Sequence, residues 1–123
     1  MKVLLSIKPE FALKIFNGSK RFEYRRAIHK RSGVAKALVY ASAPVSKVIG
    51  EFEIADILYD EPEQLWNQTS NFSGISEQTF FKYFSNASKG YAIGVKNRVF
   101  YETPISLESL NISSPPQSFM YLE

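Results

Sequence analysis

The sequence predicts an α+β fold: a small barrel or curled sheet of five or six mostly antiparallel strands, with about three helices packed outside it. Three observations carry this prediction. Several short segments either alternate in polarity or run continuously apolar, the patterns of half-buried and fully buried strands. Three other segments open on helix start signals. The chain of 123 residues is 45% hydrophobic, with ten Phe, seven Tyr and one Trp. A chain of this size buries roughly two-thirds of the surface its unfolded form exposes, so that supply suffices for a core. With only 22% charged residues, intrinsic disorder is excluded.

Val3-Leu4-Leu5-Ser6-Ile7 reads as a buried strand. Pro9 suits the first turn of a helix and Gly18 its end, with Phe11, Ala12, Ile15 and Phe16 on one face and Lys14 opposite. Lys20 to Arg26 alternates: Phe22 and Tyr24 face one way, Arg21, Glu23 and Arg25 the other. Strict alternation puts Lys20 on the Phe22 side unless the strand begins after it. His29 to Gly33 is a basic turn, Val34 to Ala41 a third strand, and Val48 to Ile54 a fourth, whose Gly50 marks a bulge or a close backbone approach. Asp60-Glu61-Pro62-Glu63 opens a helix anchored by Leu65 and Trp66, with a capping residue and acids in the first turn. Ser76 caps another that holds Phe80, Phe81, Tyr83 and Phe84. Tyr91 to Val95 and Arg98 to Tyr101, on either side of Lys96-Asn97, read as one long or bent strand or as a hairpin, and a last strand is expected over Ile105 to Leu107. The C-terminal residues 111–123 are expected to lie extended across a single domain spanning 1–123.

Composition excludes several chemistries. Without cysteine there is no disulfide, thiolate nucleophile or thiolate metal site, and one histidine cannot supply a multi-imidazole zinc site. No metal and no cofactor are expected. No apolar run approaches the ~18 residues of a membrane span, and the N-terminal residues are too short for a signal peptide. The expectation is a cytoplasmic protein with no membrane partner, in which the Asn-x-Ser/Thr sequons at Asn17, Asn67, Asn71, Asn86 and Asn111 are chance.

The charge is uneven. Residues 1–50 carry eleven Lys/Arg against Glu10 and Glu23, a balance of +9, whereas residues 51–123 carry a balance of −6. Six cations fall between Lys20 and Arg31. Such asymmetry fits a polyanionic partner for the first half, or a solvated face balanced in space by the acidic half. Lys8, Lys20, Glu23, Arg25 and Arg26 form the first candidate site: a carboxylate among cations accepts from a base edge while its neighbours take phosphate. The same set suits acid/base chemistry, with a lysine tuned by nearby cations. A solvent-facing ladder in which Glu23 only offsets Arg21 and Arg25 is the competing reading. Glu51 and Glu53 read as the solvated side of their strand, His29 as a surface residue or phosphate contact, and the aromatic run from Phe80 as core.

The motifs together resemble a known family. Ser6-Ile-Lys8-Pro-Glu, Gly18-Ser-Lys20-Arg-Phe-Glu23-Tyr-Arg25-Arg26, Tyr40-Ala-Ser42-x-Pro44, Val48-Ile-Gly50-Glu51, Gly90-Tyr91-Ala-Ile93 and Pro115-Pro-Gln117-Ser118-Phe119 follow the order of the ASCH domain, within the PUA-like superfamily. The resemblance runs from residue 3 to residue 121. It implies a β-barrel surrounded by helices, a cleft beside the first helix holding Lys20, Glu23 and Arg25, and binding of RNA or nucleotides, with Ser42 added to the binding residues. Some relatives are enzymes. One group hydrolyses N4-acetylcytidine with a lysine and, three residues on, a threonine; Lys20 matches the lysine, but the second position here is Glu23, and a carboxylate replaces a hydroxyl nucleophile poorly. Another relative is similar to a single-strand ribonuclease.

The first reading is therefore a module that binds RNA or a modified nucleotide through Lys8, Lys20, Glu23, Arg25, Arg26 and Ser42. The alternative is a hydrolase in the same cleft, an acylated-nucleoside amidohydrolase or a ribonuclease, with Lys20 and Glu23 catalytic. A third is a protein-interaction adaptor.

Overall fold

The computed structural model describes residues 1–123. Strands β1 (Lys2–Ile7), β2 (Phe22–Arg25), β3 (Lys36–Ala41), β4 (Lys47–Asp60), β5 (Gly90–Ile105) and β6 (Phe119–Leu122) form one sheet in the order β2-β5-β4-β3-β1-β6. The sheet curls into a half-barrel. Only β1 and β3 run parallel. Three α-helices accompany it, α1 (Pro9–Asn17), α2 (Pro62–Thr69) and α3 (Glu77–Tyr83), with single 3-10 turns at Ser70–Phe72 and Glu108–Leu110. No helix is long and apolar enough to cross a membrane.

The sheet has a core on each side. Val3, Leu5 and Ile7 of β1 and Ala37, Val39 and Ala41 of β3 meet Ala12 and Ile15 of α1 on one face. Leu4, Leu38 and Tyr40 meet Val48 and Ile112 on the other. Burial on both faces is why these two strands read as continuous apolar runs. Helix α1 forms as its signals require: Pro9 opens it, the Lys8 carbonyl accepts from the N–H groups of Phe11 and Ala12, and Gly18 ends it in the left-handed region at φ 89°. A third cluster joins Tyr24 and Ala92 of the sheet to Leu65 of α2, Phe80 of α3 and Phe84 just past its end.

Several expected elements have different bounds. Strand β3 starts two residues late, and β4 runs on to Asp60. The long-strand reading of residues 91–101 holds, and β5 continues to Ile105. The Lys96-Asn97 pair does not turn the chain back. Asn97 takes a positive φ of 48°, and the register against β4 shifts there between Glu51 and Glu53. Residues 106 and 107 lie outside the sheet, so the separate last strand expected over Ile105–Leu107 is absent. The last strand is β6, which pairs antiparallel with β1. Its alternate residues serve both faces, Phe119 packing on the α1 side and Met120 and Leu122 on the other. Helix α2 is capped at Glu61 with no side-chain bond. Asp60 is the last residue of β4 and accepts from the Glu61 N–H at 2.8 Å. The Ser76 cap is as expected, its hydroxyl accepting from the Thr79 N–H at 3.1 Å.

Register shifts in β4 and β5 bend those long strands and let the sheet curl. Gly50 sits at one of them. A Cβ there would lie 2.5 Å from both the Phe16 ring tip and the Val99 carbonyl. The ring can give way but the backbone oxygen cannot. Gly50→Ala is therefore expected to cost about 1–3 kcal/mol. Chemical denaturation reads this directly, and an unchanged midpoint would refute the close-approach account.

Candidate functional site

The site begins where α1 ends. After Gly18 the backbone turns so that the Lys20 N–H donates to the Lys14 carbonyl at 3.0 Å and the Arg21 N–H to the Phe72 carbonyl at 2.8 Å. Strand β2 starts only at Phe22. Lys20 thus escapes the alternation, and its side chain turns in beside Glu23. Within β2, Glu23 and Arg25 share a face, opposite Ile93 and Tyr91 of β5. Tyr24 points the other way, donating its hydroxyl proton to Thr69 Oγ1 at 2.7 Å, while Thr69 donates on to the Leu65 carbonyl. Burial, more than any other influence, pushes the Tyr24 hydroxyl up to about 12.

Lys20, Glu23 and Arg25 are all buried, Lys20 to 2% exposure. The Lys20 ammonium donates to the Ser73 carbonyl at 3.0 Å, lies 3.8 Å from Oε1 of Glu23, and sits 4.6 Å from the centre of the Tyr24 ring. Arg25 Nε is 3.1 Å from Oε2 of Glu23, but its N–H does not point along that line, so the contact is an ion pair without a hydrogen bond. The Arg25 terminal nitrogens donate to the Ser6 carbonyl at 2.9 Å and to the Ser118 hydroxyl and carbonyl at 3.1 and 3.3 Å. Every strong hydrogen bond of the two cations thus goes to backbone or serine oxygens. The Glu23 carboxylate accepts none from any protein group.

Taking an ammonium out of water costs several kcal/mol, and a cation–π contact returns about 1. Burial is the largest influence on Lys20. It outweighs Glu23, and with help from Lys14 and Arg25 it lowers the pKa from 10.5 to about 8. The loop that covers Lys20 is specialised for this. Ser73 and Gly74 turn successive carbonyls onto Lys20 and Lys14, and Gly74 takes φ 67° with the Lys20 stem where a Cβ would stand. Neither residue stood out in the sequence, since a Ser-Gly pair marks a turn but not the lysine it will cap.

These three side chains floor a cleft of about 1410 Å³. Lys8, Arg26 and Ser42 also line it, as do Lys14 and Lys82, giving six cations against Glu10 and Glu23. Lys8 is free at the rim. Arg26 is committed: its guanidinium donates to the Tyr83 and Ser85 carbonyls at 2.8 and 3.0 Å, clamping β2 to the end of α3. Pro116 and Ser118 close the far wall, with Ser6 donating to the Pro116 carbonyl at 2.7 Å. Phe11 and Tyr83 add aromatic rings to the lining.

Other sequence expectations change. The charged face of β2 is not a solvated ladder, since Glu23 and Arg25 are interior and Arg21 lies before the strand, packed over the Phe72 ring at 4.3 Å. His29 is buried rather than on the surface, with Nδ1 unpartnered, and burial lowers its pKa. It lies outside the cleft lining. Glu51 is half-buried and tied to Lys36 at 2.8 Å and the Tyr101 hydroxyl at 2.6 Å. Of the aromatic run, Phe80 and Phe84 are core, whereas Phe81 and Tyr83 are exposed. No group of three His, Asp or Glu side chains stands close enough to hold a metal ion.

A curled sheet whose edge strand β2 supplies Glu23 and Arg25, joined by Lys20 from the turn before it, to a basic cleft defines a class of small β-half-barrel domains. The chain belongs to the ASCH domain family, whose model matches residues 5–108. It is 31% identical over 125 residues to the ASCH domain-containing ribonuclease of Zymomonas mobilis, covering 98% of this chain and 84% of that protein. The crystal structure of ASCH from Zymomonas mobilis matches with a TM-score of 0.91 at 31% identity, over 99% of this chain and 87% of that one. A third match, 30% identical over 122 residues, is ATP synthase subunit alpha of Ureaplasma parvum serovar 3, of which the chain spans only 15%.

The lowered Lys20 pKa has a definite consequence for stability. The unfolded chain binds the extra proton across the window from about 8 to 10.5, so stability rises with pH there. Relative to Lys20→Met, the wild type is expected to gain on the order of 3 kcal/mol between pH 7 and the top of that window. Urea unfolding of both proteins across this range tests it, and a constant difference would show that Lys20 titrates normally.

Proposed function

We propose that this chain binds single-stranded RNA or a nucleotide in the triad-floored cleft. One observation carries the reading: Glu23 presents a carboxylate with no protein donor to a cleft lined by six cations. A carboxylate on the cleft lining with no protein donor matches a ligand that brings N–H or O–H groups, and the lysines at the rim match phosphates. Unstacked bases expose such edges, which favours single strands over duplex.

A second reading, RNA cleavage, is supported by the similarity to the ASCH domain-containing ribonuclease of Zymomonas mobilis and by Lys20. With a pKa of about 8, roughly one molecule in ten holds Lys20 neutral at pH 7, ready to take the proton of an attacking hydroxyl. Lys8 and Lys82, which line the same cleft, then stabilise the charge developing on the phosphoryl oxygens.

Fluorescence anisotropy with a short mixed-sequence RNA, followed by gel analysis, separates the readings. If about four phosphates are neutralised, affinity falls roughly 50-fold between about 50 and 200 mM salt. Lys8→Ala and Lys82→Ala weaken binding uniformly across sequences, while Glu23→Gln changes the preference among them. Salt-independent binding, or none at low salt, would overturn the RNA reading and favour a protein partner. Fragments that disappear with Lys20→Met, while binding persists, would establish cleavage.

A further inference from the structure

We infer that the base recognised at the cleft floor is guanine, a conclusion that rests on the nucleotide-binding reading above. The argument concerns the order of donors and acceptors along the triad. Lys20 Nζ gives one of its three N–H bonds to Ser73 and keeps two for other acceptors. Next to it, 3.8 Å away, is Oε1 of Glu23, and beyond that Oε2. Neither carboxylate oxygen receives a hydrogen bond from the protein. The floor therefore reads donor, acceptor, acceptor.

The complementary edge reads acceptor, donor, donor. Guanine has this edge, in its O6, N1–H and N2–H₂, and its two adjacent donors meet the two carboxylate oxygens side by side. The other bases do not. Adenine and cytosine carry one amino donor followed by an acceptor, and uracil has a single N–H between two carbonyls. Each would set a lone pair against one oxygen of Glu23 or leave that oxygen unmet, and a buried unmet acceptor is costly.

The surroundings agree with this arrangement. Arg25 Nε flanks Oε2 but is sealed from the cleft and aimed off the carboxylate, so it holds the charge in place without using a lone pair. Ser6 and Ser118 fix the guanidinium from the opposite wall. The Gly74 loop prevents Lys20 from swinging away. Phe11 and Tyr83, in the same cleft lining, offer faces for stacking. Lys8 and Lys82 remain for phosphate.

Calorimetric titration of the intact chain with GMP, IMP, AMP, CMP and UMP tests the inference. IMP keeps O6 and N1–H but lacks the 2-amino group, so GMP should bind about 5- to 150-fold tighter than IMP. AMP, CMP and UMP should be weaker than GMP. Glu23→Gln, which replaces one acceptor with a donor, should remove the GMP preference over IMP. Equal affinity for GMP and IMP in the wild type overturns the guanine assignment, whether or not the variant folds. Uniform binding of all five nucleotides overturns it too but leaves the nucleotide-binding reading standing. No binding to any of them, nor to single-stranded RNA, defeats both.

Discussion

Arg25 holds the two ends of the sheet together. Strand β2 lies at one end of the strand order, and β1 and β6 lie at the other. A full barrel would join these ends by a backbone ladder. This one joins them by a guanidinium, which spans from β2 to the Ser6 carbonyl and to Ser118. The gap left beside that bridge is the cleft. Because side chains rather than paired backbone close the curl, the closure leaves room for a ligand and places charge at its base.

That closure sets the rest of the site. A fixed, buried arginine requires a counter-charge, which Glu23 supplies, and Glu23 in turn makes a buried Lys20 tolerable. Removing one member of such a set is more damaging than never having built it. The arrangement is costly in stability, as the lowered Lys20 pKa indicates. The hydrogen-bonding capacity it leaves open, on the Glu23 carboxylate, lies on the cleft lining.

Much of this was legible in the chain. The helix bounded by Pro9 and Gly18, the Ser76 cap and the apolar runs of β1 and β3 follow from local rules, and local rules decided them. The ordered motifs around Lys20, Glu23 and Arg25 pointed to the family and to one cleft. What could not be read was context. Alternation alone assigned Arg21 and Arg25 to one solvent face, because nothing local says that β2 starts at Phe22 or that β6 will come round to meet Arg25. At Lys96-Asn97 a long strand and a hairpin both stayed open, since a positive φ suits both a turn and a bulge, and only the partner strand β4 decides between them. Arg26 matched the binding motif, yet its guanidinium is spent on the carbonyls at the end of α3, a segment nearly sixty residues away. Tertiary partners of this kind leave no trace in spacing.

The bonds that wall the cleft join residues very far apart along the chain: Ser6 with Pro116, 110 residues on, and Arg25 with Ser118, 93 residues on. Closing loops of that length costs entropy that only the completed contacts repay. The cleft is therefore complete only when Ser6 and Arg25 have met the segment around Pro116 and Ser118. A ligand that needs this cleft discriminates between the finished molecule and its precursors. By mass action it stabilises only the former, so occupancy at the floor doubles as a clamp on the chain's two ends.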